Sequence, residues 1–353
     1  MEVLVTGASG FLGRYVVSGA LRRGHHVRAL LRPASRAEDL PWTDHPRVMI
    51  CRADLRRPDG LVEALRGVDA VVHLAATKAG DFHAQFGGTV MATENLLAAM
   101  AETDVDRIAL VSSFAVYDYR ALRAWQRLDE EAPLDDTCDG RDDYARTKLL
   151  QERLVREAAD ERGWEWVVLR PGVIFGPDNL WTARLGFALS DRVWVRTGTR
   201  ARLPLTWVEN CAEAIVLAAE KRSIAGEVFN IVDDENPRQA DYLRRLLRRE
   251  GGDRRVLPVN WTLLWSAARL LDLGNRLLLG GRMRVPAILR PAALAARCRP
   301  LRYSNRRARE RLGWQPRVSV DEALDRCFAG SAEPEAGEAQ APAAAASAGE
   351  EAA

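Results

Sequence analysis

Val3-Leu4-Val5-Thr6-Gly7-Ala8-Ser9-Gly10-Phe11-Leu12-Gly13 sets an apolar run, a glycine-rich turn and the start of a periodic segment side by side. Phe11, Leu12, Tyr15, Val16, Ala20 and Leu21 share one helical face. The stretch therefore predicts strand, tight turn and helix. Glycines let a backbone turn sharply and approach a pyrophosphate with no Cβ in the way. The start of the helix offers free N–H groups and its positive dipole end to phosphates. Glycines also mark ordinary turns, but the strand before and the helix after point to a bound dinucleotide. Gly7, Ser9, Gly10, Phe11, Leu12 and Gly13 are the residues expected to hold it.

Outward from this turn, strands and helices alternate. Val27 to Leu31, Arg47 to Cys51, Ala70 to Leu74 and Arg107 to Ser112 are apolar runs of strand length, and Thr93 to Glu102 reads as helix. Such alternation predicts a doubly wound parallel α/β sheet, a Rossmann fold, with ligands beyond the carboxyl ends of the strands. Thr6, Arg32, Asp54, Ala75 and Ser113 all fall at or just past such ends. Residues 143–162 form a long helical pattern and Trp166 to Leu169 another strand. Beyond residue 177 the regularity weakens, with pieces at Leu205 to Val208, Glu209 to Lys221, Val228 to Ile231 and Gln239 to Arg249. The expected organisation is a nucleotide domain over 1–176, with later segments near 205–232 interleaved, and a smaller, mostly helical substrate lobe over 177–330. Residues 331–353, rich in Ala, Glu, Pro and Gly, read as a disordered tail.

The 353 residues carry a net charge of +2 and are 47% hydrophobic, the balance of a globular protein with no case for nucleic acid. Lysine occurs only at Lys78, Lys148 and Lys221. Cys51, Cys138, Cys211, Cys298 and Cys327 are widely spaced without CxxC, and the five histidines lack ligand spacing. Reduced thiols, no metal site and a cytoplasmic location are expected. With a strand at the very start there is no room for a signal peptide. His73 follows an apolar run and reads as a strand-end core histidine. Trp261 to Gly280 is leucine-rich but carries Arg269, Asp272 and Arg276, which argues against a spanning helix. Packing over the substrate site is the preferred reading, with weak association at a membrane surface the alternative.

Tyr144 and Lys148 stand four residues apart at the start of a helix, so both face the same way. A tyrosine with an ordinary pKa of about 10 is a poor base near neutrality, and an adjacent ammonium favours its phenolate. Ser113 ends a strand, where a hydroxyl can hydrogen-bond a substrate oxygen while Tyr144 exchanges its proton.

With these residues in view, the chain resembles the extended short-chain dehydrogenase/reductases, also called the NAD-dependent epimerase/dehydratase family. The resemblance runs from Met1 to Phe328. Its marks are TGASGFLG (6–13), Asp54-Leu55, His73-Leu74-Ala75-Ala76, SSFAVY (112–117), Tyr144 with Lys148, Arg170-Pro171-Gly172, Phe175-Gly176-Pro177, Gly226 to Ile231, and Leu312 to Pro316. It implies Tyr144 as acid/base, Lys148 on the nicotinamide ribose, Ser113 as the catalytic hydroxyl, and Asp54 on the adenine. It adds Leu55, Ala75, Ala76 and Pro171 to the cofactor set. Three positions depart from the pattern. Thr89 stands where Asn is frequent, and Asp118 where glycine is usual. Phe114 and Ala115 replace the Asp-Glu pair with which sugar dehydratases protonate a leaving hydroxyl.

The resulting expectation is an NAD(P)-dependent oxidoreductase acting on a small-molecule carbinol or carbonyl, as monomer or homodimer. Reductase or dehydrogenase and epimerase both stay open, as do sugar-nucleotide and hydroxysteroid or dihydroflavonol substrates. A dinucleotide-sensing regulator is the non-enzymatic alternative, against which the full Ser113, Tyr144 and Lys148 set argues. NADP is favoured over NAD. From Val3 to Ala37 there is no Asp or Glu, while Arg32 follows strand two where an acid would serve the ribose of NAD.

Overall fold

The computed structural model describes residues 1–136, 142–190, 192–197, 201–251, 254–279 and 291–330. The 331–353 segment and Cys138 lie outside the described residues. The first half runs β1 (Glu2–Thr6), α1 (Phe11–Arg22), β2 (His26–Leu31), β3 (Val48–Arg52), α2 (Leu61–Leu65), β4 (Ala70–His73), α3 (Phe82–Phe86), α4 (Ala92–Met100), β5 (Arg107–Val111) and β6 (Arg127–Leu128). Then follow α5 (Asp143–Arg162), β7 (Glu165–Pro171), β8 (Val173–Phe175), β9 (Phe187–Ser190), β10 (Val193–Thr197), β11 (Leu205–Trp207), α6 (Val208–Glu220) and β12 (Glu227–Ile231). The chain closes with α7 (Gln239–Glu250), β13 (Arg255–Val259), α8 (Trp261–Leu279), α9 (Pro291–Cys298), β14 (Arg302–Tyr303) and α10 (Val320–Phe328).

Seven strands form one parallel sheet in the order β12-β7-β5-β4-β1-β2-β3. Every residue of β4 and β5 is buried, as strands covered on both faces must be. Alternation along β1 sorts its side chains between two cores. Val3 and Val5 join the layer that holds α1 and α6, and Leu4 joins the layer with α2, α4 and α5. After β3 the chain crosses to the far side of β1, so the strand order reverses between β1 and β4. That reversal opens the crevice in which such sheets bind ligands.

Residues 187–259 contain strands that the periodicity did not reveal. β9 and β10 are antiparallel, and β13 adds parallel to β10. These strands are short, and β9 is exposed throughout, so no apolar alternation announces them. The helix over 92–100 also begins earlier than expected. It continues back through a π-helical turn, Gly87–Met91, to α3, whose cap is the Asp81 carboxylate. Among the described residues no helix is long and apolar enough to cross a membrane. Leu270, Leu271, Leu273 and Leu277 of α8 face solvent rather than packing over a site, while Ala268 and Asn275 are buried.

Candidate active site

Gly7 leaves β1 at φ +69°, a conformation that an L side chain rarely adopts. A Cβ there would also press to 3.1 Å from the Ala75 amide nitrogen. A Cβ on Gly13 would collide with the Gly7 carbonyl oxygen, so the turn and the first helical turn lie flush. Helix α1 starts at Gly10 with no side-chain cap and no acidic residue in its first turn. Its leading N–H groups are therefore left to a ligand. Thr6 fastens the two strand ends across the switch point. Its hydroxyl oxygen accepts from the Leu74 and Ala75 amides at 3.2 Å each.

A cleft of about 420 Å³ opens above this turn. Gly7, Ser9, Gly10, Arg32, Asp54, Leu55, Ala75 and Ala76 line it, together with Arg56 and Thr77. A glycine cradle, an uncapped helix start and a cleft of this size fit a dinucleotide. Phe11, Leu12 and Gly13 form the start of α1 behind the turn. Pro171 is buried at the end of β7, outside the cleft lining. Arg32 is exposed on the rim. The Asp54 carboxylate is engaged by Arg56, whose Nη2 donates at 2.6 Å and Nε at 3.0 and 3.1 Å. These bonds hold the Asp54 carboxyl down at about 2.

Ser113, Tyr144 and Lys148 lie outside the cleft lining, and Lys78, the residue after Thr77, links the lining to the Tyr144 ring. Asp142 caps α5 by accepting from the Ala145 amide, which fixes the helix start that carries Tyr144. Ser113 stands at the end of β5, its oxygen accepting from the Ala115 amide at 3.1 Å. The Tyr144 phenol is pushed up to about 12 by burial, and its hydrogen bond with Ser113 pulls the other way. Lys148 is buried, with Nζ donating to the Val111 carbonyl and to Gln151 Oε1, both at 2.8 Å. Burial first, and then the nearby Lys78 charge, bring Lys148 down to about 7, while Glu152 raises it. The sequence reading had the ammonium lowering the phenol. Here removal of water dominates both groups, so the phenol rises and the ammonium falls.

A buried polar network holds Lys148 in place. Gln151 Nε2 donates to Thr93 Oγ1 at 2.8 Å and to the Ala75 carbonyl at 3.2 Å, and lies 3.0 Å from His73 Nε2. His73 Nδ1 lies 2.7 Å from Thr6 Oγ1. The strand-end histidine thus joins the glycine strand to the lysine helix, and burial keeps it neutral, at about 3. Glu152, one turn beyond Lys148, is clamped by Arg170 at 2.7 and 3.0 Å. Thr89, at the position where Asn is frequent, accepts from the Thr77 amide at 3.0 Å and anchors the loop ahead of Lys78. The sequence reading missed Lys78, Arg56 and Gln151. Lys78 Nζ sits 5.4 Å above the Tyr144 ring. In a chain with three lysines, two at one site was the available signal. Phe114 is buried against Tyr117 and Tyr303, so its position presents an aromatic to the core, where a dehydratase would place an acid.

A doubly wound sheet with a glycine-lined dinucleotide cleft is the frame of a nicotinamide-dependent oxidoreductase. More specifically, the chain belongs to the NAD dependent epimerase/dehydratase family, which it matches over residues 3–232. It is 30% identical to the 2-alkyl-3-oxoalkanoate reductase of Stenotrophomonas maltophilia, over 94% of this chain and all of that one. It is 32% identical to the 4-hydroxy-2-methyl-3-oxo-4-farnesyl-3,4-dihydroquinoline-1-oxide ketoreductase of Stigmatella aurantiaca, over 92% of this chain and 95% of that one. In fold it is similar to the crystal structure of gox2253, with a TM-score of 0.75 at 24% identity over 93% and 98% of the two chains. MoeE5 in complex with UDP-glucose and NAD gives a TM-score of 0.67 at 21% identity over 93% and 98% of the chains.

Proposed function

We propose that this enzyme is an NADP(H)-dependent ketone reductase in which Tyr144 delivers the proton to the carbonyl oxygen. The observation that carries the reading is the phenol held at about 12 by burial, with Ser113 as its hydrogen-bond partner. A phenol with that value stays protonated through neutral pH, the form a general acid needs for reduction. When bound, the nicotinamide supplies the hydride. Ser113 orients the substrate oxygen toward the Tyr144 hydroxyl, and Lys148 anchors the cofactor ribose from the floor. Gln151 and the Val111 carbonyl fix the Lys148 ammonium, and the Arg170–Glu152 pair steadies the same helix.

Two relatives at 30% and 32% identity over more than nine tenths of the chain carry names of reductases of 3-oxo compounds, which supports an apolar-flanked ketone as substrate. The sugar-nucleotide proteins share the fold at lower identity and carry less weight. Arg32 on the rim, with no acid from Val3 to Ala37, supports NADP(H). The test is a panel of 3-oxo acids and esters, steroid ketones and UDP-sugars with NADPH and NADH, followed by cofactor absorbance. Stoichiometric consumption of NADPH with a ketone is expected. Turnover of a sugar nucleotide with no net cofactor change overturns the reading in favour of an epimerase.

A further inference from the structure

Two of the three lysines in this chain are engaged. Lys148 Nζ donates to the Val111 carbonyl and to Gln151, and Lys221 Nζ donates to the Arg311 carbonyl at 2.7 Å. Lys78 differs. It is exposed, and among the described residues its ammonium meets no carboxylate and no hydrogen-bond acceptor, only the Tyr144 ring at 5.4 Å. The loop that carries it is fixed at its root. The Thr77 amide donates to Thr89 Oγ1 at 3.0 Å, and a Cβ on Gly88 would fall 2.0 Å from Thr77 Oγ1, so the loop is pressed onto the π-helical turn. Thr77 is the last residue of this loop to line the dinucleotide cleft. Lys78 lies beyond it, on the ring face of the residue assigned the proton transfer.

Charge decides what such a group meets. Lys78 is close enough to Lys148 for its charge to join burial in lowering that ammonium. The acids that act on Tyr144 and Lys148 are committed elsewhere. Arg170 and Arg156 hold Glu152, and Asp142 caps α5. Two cations without a carboxylate to balance Lys78 favour an anionic ligand. The phosphates of a dinucleotide have the glycine turn and the uncapped start of α1, in the cleft that Lys78 does not line. The anion that faces Lys78 then belongs to the substrate. A ketone whose oxygen meets the Tyr144 hydroxyl lies beside that ring, so a carboxylate a few bonds from the carbonyl reaches the ammonium.

We propose that Lys78 binds a carboxylate of the substrate and makes the enzyme selective for 3-oxo acids over their neutral esters. The proposal rests on the ketone reduction assigned to Tyr144.

The experiment measures kcat and KM for 3-oxodecanoate and its methyl ester in the wild type, Lys78→Met and Lys78→Arg, with melting temperatures as the control for folding. The wild type should favour the acid at least about tenfold in kcat/KM, carried by KM, because a hydrogen-bonded ion pair replaces a neutral contact. Lys78→Met should lose that preference, and Lys78→Arg should keep most of it. No preference in the wild type overturns the proposal. So does an equal loss on acid and ester in Lys78→Met, which places the effect of Lys78 on Tyr144 itself. Weaker NADP binding in Lys78→Met by tryptophan fluorescence, with the acid preference intact, also overturns it and assigns the ammonium to a cofactor phosphate. Calorimetric binding of the acid and the ester to enzyme loaded with oxidised NADP separates this inference from the reductase reading. Tighter binding of the acid that is lost in Lys78→Met, with neither compound reduced in the assay, faults the reductase reading alone. Equal binding of the two, or binding of neither, overturns the inference.

Discussion

The floor and the rim of the cleft are built in opposite ways. The floor rests on a layer behind the lining residues Leu74 and Ala75, where Lys148, Gln151, His73, Thr6 and Thr93 are buried and their hydrogen bonds join residues up to 78 positions apart. On the rim, Arg32 and Arg56 are exposed, and the Asp54–Arg56 pair closes over two residues. A buried network fixes geometry and shifts pKa values because no water can substitute for a lost partner. An exposed pair is screened and contributes little to stability. Chemistry should therefore be sensitive to the floor, and choice of cofactor to the rim.

The largest effect is expected from Tyr144→Phe. It should cost about a hundredfold to ten-thousandfold in turnover with cofactor affinity unchanged, read by initial rates and a fluorescence titration. More than about a tenth of wild-type rate would remove Tyr144 from the acid/base role.

Next is the pH dependence of Lys148. Its folded value is about 7 against an ordinary 10.5, so between these the unfolded chain holds one more proton than the folded one. Wild-type stability should then rise with pH across that window relative to Lys148→Met, by about 1.4 kcal/mol per pH unit. Parallel curves for the two proteins in chemical denaturation would show that Lys148 is not held out of water.

Gln151→Leu tests the network itself. It strands the Lys148 ammonium on one partner and should cost about 1–3 kcal/mol in stability. Lys148 positioned through Gln151 also predicts a shifted pH profile of kcat/KM. A variant that loses stability with an unchanged profile would reduce Gln151 to a packing role.

The smallest effect belongs to the rim. NADP should bind about tenfold tighter than NAD, which is 1.4 kcal/mol, and Arg32→Asp should erase that margin. Equal affinities in the wild type end the NADP assignment. High salt should narrow the margin in the wild type and leave the Tyr144→Phe defect unchanged, which separates rim from floor in one series.

Local patterns carried much of the architecture. The glycine turn, the continuous apolar runs and the 143–162 periodicity are short-range signals, and α5 spans those residues in the structure. Where the pattern was weak the reading failed: β9 is exposed at every residue, and the π-helical turn before α4 contains Gly87 and Gly88, which mask a helix. In the site, the spacing of Tyr144 and Lys148 was legible because it lies within one helical turn. Lys78 and Gln151 carry no motif of their own, and Arg56 looked like one arginine among many.

The sequence by itself determined the doubly wound sheet, the position of its glycine-lined cleft and the placing of a tyrosine and a lysine one helical turn apart, because each rests on backbone conformation or helical period. Tertiary structure decided what those groups are like. It drove the phenol up and the ammonium down by removing water, tied Lys148 through Gln151 to His73 and the glycine strand, and turned Leu270, Leu271, Leu273 and Leu277 outward. Desolvation and contacts between distant segments are properties of the packed chain, and no local run of residues contains them.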